Sequence, residues 1–151
     1  KVKLETVTLP STLREIGYSA FANQTNLKAI NFPKGLRMIK EHAFSGCQSL
    51  TEICLPEAIS EIGCSAFDGC TSLETVKIEE GVRELSYGMF YNCSSLKDIY
   101  IPSTVEKIDN KALNRAGWYG VYPFLEVTIH APAGSYAEQY AKENEINFVA
   151  E

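Results

Sequence analysis

The sequence predicts an α/β repeat solenoid: a β-rich stack of coils with a parallel sheet, short helical turns and a C-terminal helical cap. Three observations carry this. Leu4, Leu27, Leu50, Leu73 and Leu96 recur with a period of 23 residues. Alternating apolar positions follow each leucine, and in four of the five units a proline follows those. After Ile129 the pattern changes to helical spacing. Fixed-period self-similarity marks stacked repeats, in which no unit buries its apolar frame alone.

Each unit opens with a strand. Val7, Ile30, Ile53, Val76 and Ile99 lie three residues after the leucine, and Leu9, Phe32, Leu55, Ile78 and Ile101 two further on. That alternation buries one face of a strand. Pro10, Pro33, Pro56 and Pro102 then end it by removing a ladder donor. The fourth unit has Glu79 there, with Glu80-Gly81 able to turn without proline. The second half of each unit repeats Leu13, Leu36, Ile59, Val82 and Val105, then Ile16, Ile39, Ile62, Leu85 and Ile108. Ala20-Phe21, Ala43-Phe44 and Ala66-Phe67 come next, with Met89-Phe90 and Ala112-Leu113 as variants. A small residue beside a ring lets the ring tuck inward, and each buried ring contributes about 1.5–3 kcal/mol. Polar turns beginning at Asn23, Gly46, Gly69 and Asn92 close the units, since Gly and Asn tolerate positive φ.

Unit five loses this rhythm after Leu113. With Phe124, Val127 and Ile129 as the frame of a sixth strand, it carries a five-residue insertion that holds the single tryptophan, Trp118. Ser135-Tyr-Ala-Glu138 reads as a capping box before a helix. Tyr136, Ala137, Tyr140 and Ala141 share one face of that helix, Glu138 and Lys142 pair at i,i+4, and Asn144 stops it. Ile146 and Phe148 suit a final extended segment. The expected organisation is one domain over residues 1–151: five full repeats and a sixth strand over 1–129, then a cap over 130–151 that covers the last coil. The chain opens inside a repeat, with no leader motif. An open first strand invites edge pairing, so further repeats or an N-terminal cap are expected ahead of Lys1, with a monomer or an edge-paired dimer as the assembly.

The pattern Leu-x-x-Ile-x-Ile-Pro-x-x-Val-x-x-Ile-Gly-x-x-Ala-Phe-x-x-Cys, read from Leu50 to Cys70 and in its copies between Leu4 and Ala116, resembles the BspA-like class of leucine-rich repeats. Lys40, Ser86 and Asp109 depart from its glycine and Gln24 from its cysteine. The resemblance implies a leucine-rich-repeat right-handed superhelix. It also implies bacterial or protist surface proteins that adhere to host matrix proteins or other cells, hence an extracellular or cell-surface location.

Chemistry is sparse. The chain carries 19 acidic and 14 basic residues, scattered, for a net charge of −5. Nucleic acid and anionic membranes call for clustered Lys and Arg, and no apolar run approaches the roughly 18 residues of a membrane span. No partner of either kind and no membrane insertion is expected. No phosphate-binding, metalloprotease, nucleophile-elbow or calcium-loop motif occurs. His42 and His130 read as surface histidines without a motif partner, and nothing marks a pair among Glu52, Asp98 and Glu126. No enzyme activity, metal or cofactor is expected. The five cysteines, Cys47, Cys70 and Cys93 at repeat spacing with Cys54 and Cys64 elsewhere, read as small buried fillers. One ladder pair could geometrically form a disulfide. Asn23-Gln-Thr and Asn92-Cys-Ser match the glycosylation sequon, but the repeat turn explains both.

What remains is surface. The residues flanking the middle apolar position of each strand should face solvent: Thr6 and Thr8, Ala29 and Asn31, Glu52 and Cys54, Thr75 and Lys77, Asp98 and Tyr100, Glu126 and Thr128. The frame repeats while this lane varies, which suits recognition of a protein or glycan over an extended face. Asn31, Glu52, Lys77, Asp98 and Tyr100 are its candidate contacts, and Tyr100 is the expected anchor. Trp118, Tyr119 and Tyr122 of the insertion are a second candidate, because aromatics grip sugars or partners. The same residues could instead seal the last coil, which is the expectation here. A structural spacer without a ligand, and an intracellular scaffold favoured by free thiols, are the competing readings.

Overall fold

Twenty-three residues complete one coil. In the computed structural model, which describes residues 3–109, 111–117 and 119–151, each coil adds a strand to each of two sides. One side holds β1 (Thr6–Thr8), β3 (Ala29–Asn31), β5 (Glu52–Leu55), β7 (Thr75–Ile78) and β9 (Asp98–Tyr100). The other holds the two-residue strands β2 (Glu15–Ile16), β4 (Met38–Ile39), β6 (Glu61–Ile62), β8 (Glu84–Leu85) and β10 (Lys107–Ile108). Pairing among these strands is parallel, and every paired residue lies 23 positions from its partner, as Ile53 does from Val76 and Ile16 from Ile39. Equivalent repeat positions therefore stack on one another.

A third hydrogen-bonded column runs through the Ala-Phe turns. Phe21 N donates to Ala43 O at 2.8 Å, Phe44 N to Ala66 O at 2.8 Å, Phe67 N to Met89 O at 3.0 Å and Phe90 N to Ala112 O at 2.9 Å. Intervening amides bond three residues back, as Ala22 N does to Ser19 O. The expected helical turns are thus single turns that never propagate, because every second N–H is diverted to the next coil. The turns open and close at positive φ. Asn23, Gly46, Gly69 and Asn92 fill the closing slot, which accounts for the sequon asparagines. Ser19, His42, Ser65, Gly88 and Lys111 fill the opening slot, which has no glycine signature in the sequence.

Inside, Phe21, Phe44, Phe67 and Phe90 stack with ring centroids 5.1, 5.3 and 5.7 Å apart and near-parallel planes. Cys47, Cys70 and Cys93 are buried, and their thiols donate to the carbonyls of Phe21, Phe44 and Phe67 at 3.2–3.3 Å. Burial, then the neighbouring Cys70, pushes the Cys47 thiol up to about 12. The Cys93 thiol and burial push Cys70 up as well. The filler reading fails for Cys54 and Cys64, which are exposed. Cys54 occupies an outward lane position of β5, where no frame residue is needed. All five thiols are free, so no ladder disulfide forms.

The coil stack has two seams. On the first side β1 and β3 form one sheet, and β5, β7 and β9 belong to another. On the second side β2, β4 and β6 are separate from β8 and β10. Ser86 bridges the second seam, its hydroxyl donating to Gly63 O at 2.9 Å.

The C-terminal end corrects one expectation. The sixth strand, β11, is Thr128–Ala131, with Thr128 on Asp98, Ile129 on Ile99 and His130 on Tyr100. The frame expected at Phe124, Val127 and Ile129 lies two residues too early, and the spacing from Ile99 to Ile129 is 30 residues rather than 28. Pro132 then stands where Pro102 stands, and Ala131 fills the Ile101 position. The expected lane residues Glu126 and Thr128 become Thr128 and His130. Helix α1 (Tyr136–Glu143) follows, with Ser135 as N-cap accepting Glu138 N at 3.3 Å and with Ala137 and Ala141 buried. Glu138 bonds Gly134 N and pairs with Lys142 at 2.7 Å. The helix returns the chain to β12 (Asn147–Ala150), which pairs parallel with β11 and makes the larger sheet five-stranded in the order β12-β11-β9-β7-β5.

Two outcomes test this packing. Phe67→Ala removes the ring at the centre of the stack and should cost about 3–5 kcal/mol in denaturant unfolding; a loss within about 0.5 kcal/mol would contradict a close-packed column. A chromogenic disulfide reagent should titrate two thiols, Cys54 and Cys64, in the native protein and all five after denaturation.

Candidate functional site

The first-side strands present two outward columns. One runs Thr6, Ala29, Glu52, Thr75, Asp98, Thr128 and Asn147, and the other runs Thr8, Asn31, Cys54, Lys77, Tyr100, His130 and Val149. The inward neighbours Ile53, Val76, Ile99 and Ile129 are buried, so strand alternation leaves these columns facing out.

The columns converge chemically at one place. The His130 ring stacks on Tyr100 with centroids 4.3 Å apart and planes 16° from parallel. Lys77 Nζ lies over the Tyr100 ring, 5.7 Å from its centroid. His130 Nε2 sits 2.7 Å from Asp98 Oδ1, and Nδ1 sits 2.8 Å from Glu151 Oε1. A neutral imidazole carries one N–H and serves only one of these carboxylates; the imidazolium serves both. Burial alone would lower the His130 pKa, but the hydrogen bonds and charges of Asp98 and Glu151 outweigh it and hold the ring above its ordinary 6.5. His130 thus ties β9 to the residue that follows β12. The reading of His130 as a surface histidine without partners is corrected: its side chain is 13% exposed and both nitrogens are engaged.

The structure brings Lys77, Asp98 and Tyr100 together and adds His130 and Glu151, which the sequence reading missed. The signal for His130 was present in Ile129-His-Ala-Pro132, a copy of Ile99-Tyr-Ile-Pro102 with histidine for tyrosine and alanine for isoleucine. Asn31 and Glu52 lie apart from this cluster, around the seam between β3 and β5.

The insertion folds back on the coil it interrupts. Asn114 and Phe124 form an antiparallel bridge, and Asn114 Nδ2 donates to Tyr122 O at 2.6 Å. Lys111 Nζ lies 3.7 Å from the Tyr122 ring centroid and 5.7 Å from that of Tyr87. Phe124 meets Tyr140 of α1 edge-on at 6.3 Å. Tyr122 is therefore tied to its own coil, whereas Tyr119 is fully exposed. Trp118 lies outside the described residues. Among the described residues no helix is long and apolar enough to cross a membrane, and no cluster of three His, Cys, Asp or Glu is placed to hold a metal.

The clamp has a definite sign. A folded-state pKa above the unfolded value means that His130 adds stability below about pH 6.5 and that the contribution disappears as pH rises through the raised pKa. In an NMR titration the His130 ring should show its midpoint above 6.5, and Asp98→Asn or Glu151→Gln should each move it down. A midpoint at or below 6.5 would contradict the clamp.

No curated protein sequence matches the chain. Solved structures do. The leucine-rich repeat protein of T. pallidum aligns at 29% identity with a TM-score of 0.69, over 83% of this chain and 58% of that one. The pneumococcal vaccine antigen PcpA aligns at 20% identity and TM-score 0.66, over 91% of this chain and 33% of its own. A leucine-rich cell surface protein of Faecalibacterium prausnitzii aligns at 22% identity and TM-score 0.60, over 98% and 48%. The last two show a shared fold alone. The chain spans 58% or less of each of these proteins. The profile of the BspA type leucine-rich repeat region matches six copies over residues 1–117. With that profile covering most of its length and its coils stacked at the same period, the chain belongs to the BspA-type leucine-rich repeat family.

Proposed function

We propose that this chain is a non-catalytic recognition module of a surface or secreted protein, and that it adheres to a protein or glycan partner through the outward columns of its parallel sheet. The observation that carries the reading is the contrast between interior and lane. The frame repeats apolar residues at every coil, while the outward columns change chemistry at each step and gather an aromatic and charged cluster at Lys77, Tyr100, His130 and Asp98. Tyr and charged groups held in a rigid stack suit an interface anchor, because little side-chain entropy remains to be lost on binding. A surface setting is supported by the family and by the F. prausnitzii neighbour, which is described as a cell surface protein. A host extracellular matrix protein is the partner class the family resemblance favours.

The test is binding of the purified chain to a panel of immobilised extracellular matrix proteins and glycans. Replacing Lys77, Asp98 and Tyr100 together by alanine should weaken the captured interaction at least tenfold while the far-ultraviolet spectrum is kept. Undiminished binding by this variant would overturn the outward columns as the recognition surface.

A further inference from the structure

The seam between β3 and β5 is the least expected feature of the recognition sheet. The coils on either side pair in register, yet no ladder joins these two strands. The sequence supplies a physical cause. Leu9, Leu55, Ile78 and Ile101 fill the second frame position of their coils, but coil two has Phe32. Its ring meets Phe44 of its own coil edge-on at 5.6 Å and Phe67 of the next coil at 6.5 Å. A phenyl ring in a slot sized for Leu or Ile wedges the two coils apart on this side. The other two sides stay bonded, through Ser60 N to Arg37 O at 3.0 Å and Phe44 N to Ala66 O at 2.8 Å.

The wedge opens a recess of about 420 Å³, within the size range of small ligand sites. Ile30, Ile53, Phe32 and Pro56 form an apolar floor, and Glu52, Glu57 and Glu79 stand on the rim with Lys34 as the one cation lining it. Three carboxylates against one ammonium leave the lining at a net −2. Elsewhere several acids are matched by a base in the next coil, as in Glu5–Lys28 and Glu74–Lys97, each at 3.2 Å. Among the described residues Glu52 and Glu57 have no side-chain hydrogen bond or ion pair, and Glu79 accepts only the Cys54 thiol at 3.7 Å. Burial and the Glu79 carboxylate push that thiol's pKa up, so Cys54 lines the recess as a neutral group.

We propose that this recess receives an arginine side chain from a protein partner. The aliphatic stem would lie on the apolar floor, and the planar guanidinium would meet the Glu52, Glu57 and Glu79 carboxylates, which accept its fork of N–H donors. The inference rests on the sheet face being a recognition surface, and it names the partner chemistry at one end of that surface. It is separate from the Tyr100–His130 cluster, which shares none of the recess-lining residues.

The test titrates the isotope-labelled full chain with acetyl-Gly-Arg-Gly-amide and with its uncharged analogue, acetyl-Gly-citrulline-Gly-amide. The arginine peptide should give saturable amide shifts confined to residues 29–34, 52–57 and 79, and the citrulline peptide should bind at least tenfold more weakly. Glu52→Gln, Glu57→Gln and Glu79→Gln combined should abolish the shifts. Phe32→Leu, which removes the wedge and keeps the core apolar, should do so too while increasing amide protection in β3 and β5. Absence of saturable shifts, equal affinity for the two peptides, or undiminished binding by the triple glutamine variant would each overturn the proposal. These results are independent of the matrix-binding test. Loss of matrix binding on replacing Lys77, Asp98 and Tyr100 would leave the recognition face standing even where the peptide fails to bind.

Discussion

The rest of the structure depends on one constraint: a coil cannot satisfy its own backbone. Outside the seams, strand and turn amides that point along the stack find their acceptors 22 to 24 residues away, in the coil before or after. Unpaired buried amides are costly, so the spacing between coils is set by hydrogen-bond length rather than by side-chain size. Everything inside then stacks at that spacing. The phenylalanines pile ring on ring, the cysteine thiols cap carbonyls of the preceding coil, and the exposed ion pairs fall between equivalent positions such as Glu84 and Lys107. Exposed pairs of this kind contribute little to stability; their place follows from the register.

The constraint also divides the residues by role. Frame positions stay apolar because equivalent environments repeat. Outward positions are released from packing, and chemistry can vary there at no cost to the stack. Where a frame residue departs, the consequence is local. Phe32 parts two strands and opens a recess, yet the bonded columns on the other sides hold the coils together. Ser86, in a slot where the repeat has glycine, puts a hydroxyl on a carbonyl across the second seam. At the C-terminal end the chain passes through α1 and adds β12 in parallel to β11. The His130 ring, held between Asp98 and Glu151, ties β9 to the residue after β12.

Much of this was legible in the sequence. The 23-residue period fixed the strands, the buried frame, the Ala-Phe columns and the outward lane in five coils, because each position was sampled five times. The capped helix was legible from Ser135, Glu138 and Asn144. The sixth strand was not placed correctly, since the insertion broke the count and Val127 and Ile129 both fit a buried position. Proline at 132 was the stronger guide, as a strand-ending residue at the slot of Pro102. That slip of two residues hid His130 from the lane and so hid its stack on Tyr100 and its bond to Glu151. The seam at Phe32 was beyond a pattern that scores Phe, Leu and Ile alike as apolar. Cys54 carried two readings, a buried filler and an outward lane residue, and the outward one holds; the exposure of Cys64 was missed because cysteine is read as buried by habit.

Native-state hydrogen exchange tests the central constraint most directly. If the turns bond from coil to coil as the strands do, the amides of Phe44, Phe67 and Phe90 should be protected to the same degree as those of Ile53, Val76 and Ile99, and should exchange only with global unfolding. Turn amides exchanging at the rate of exposed loops, while the strand amides stay protected, would contradict it.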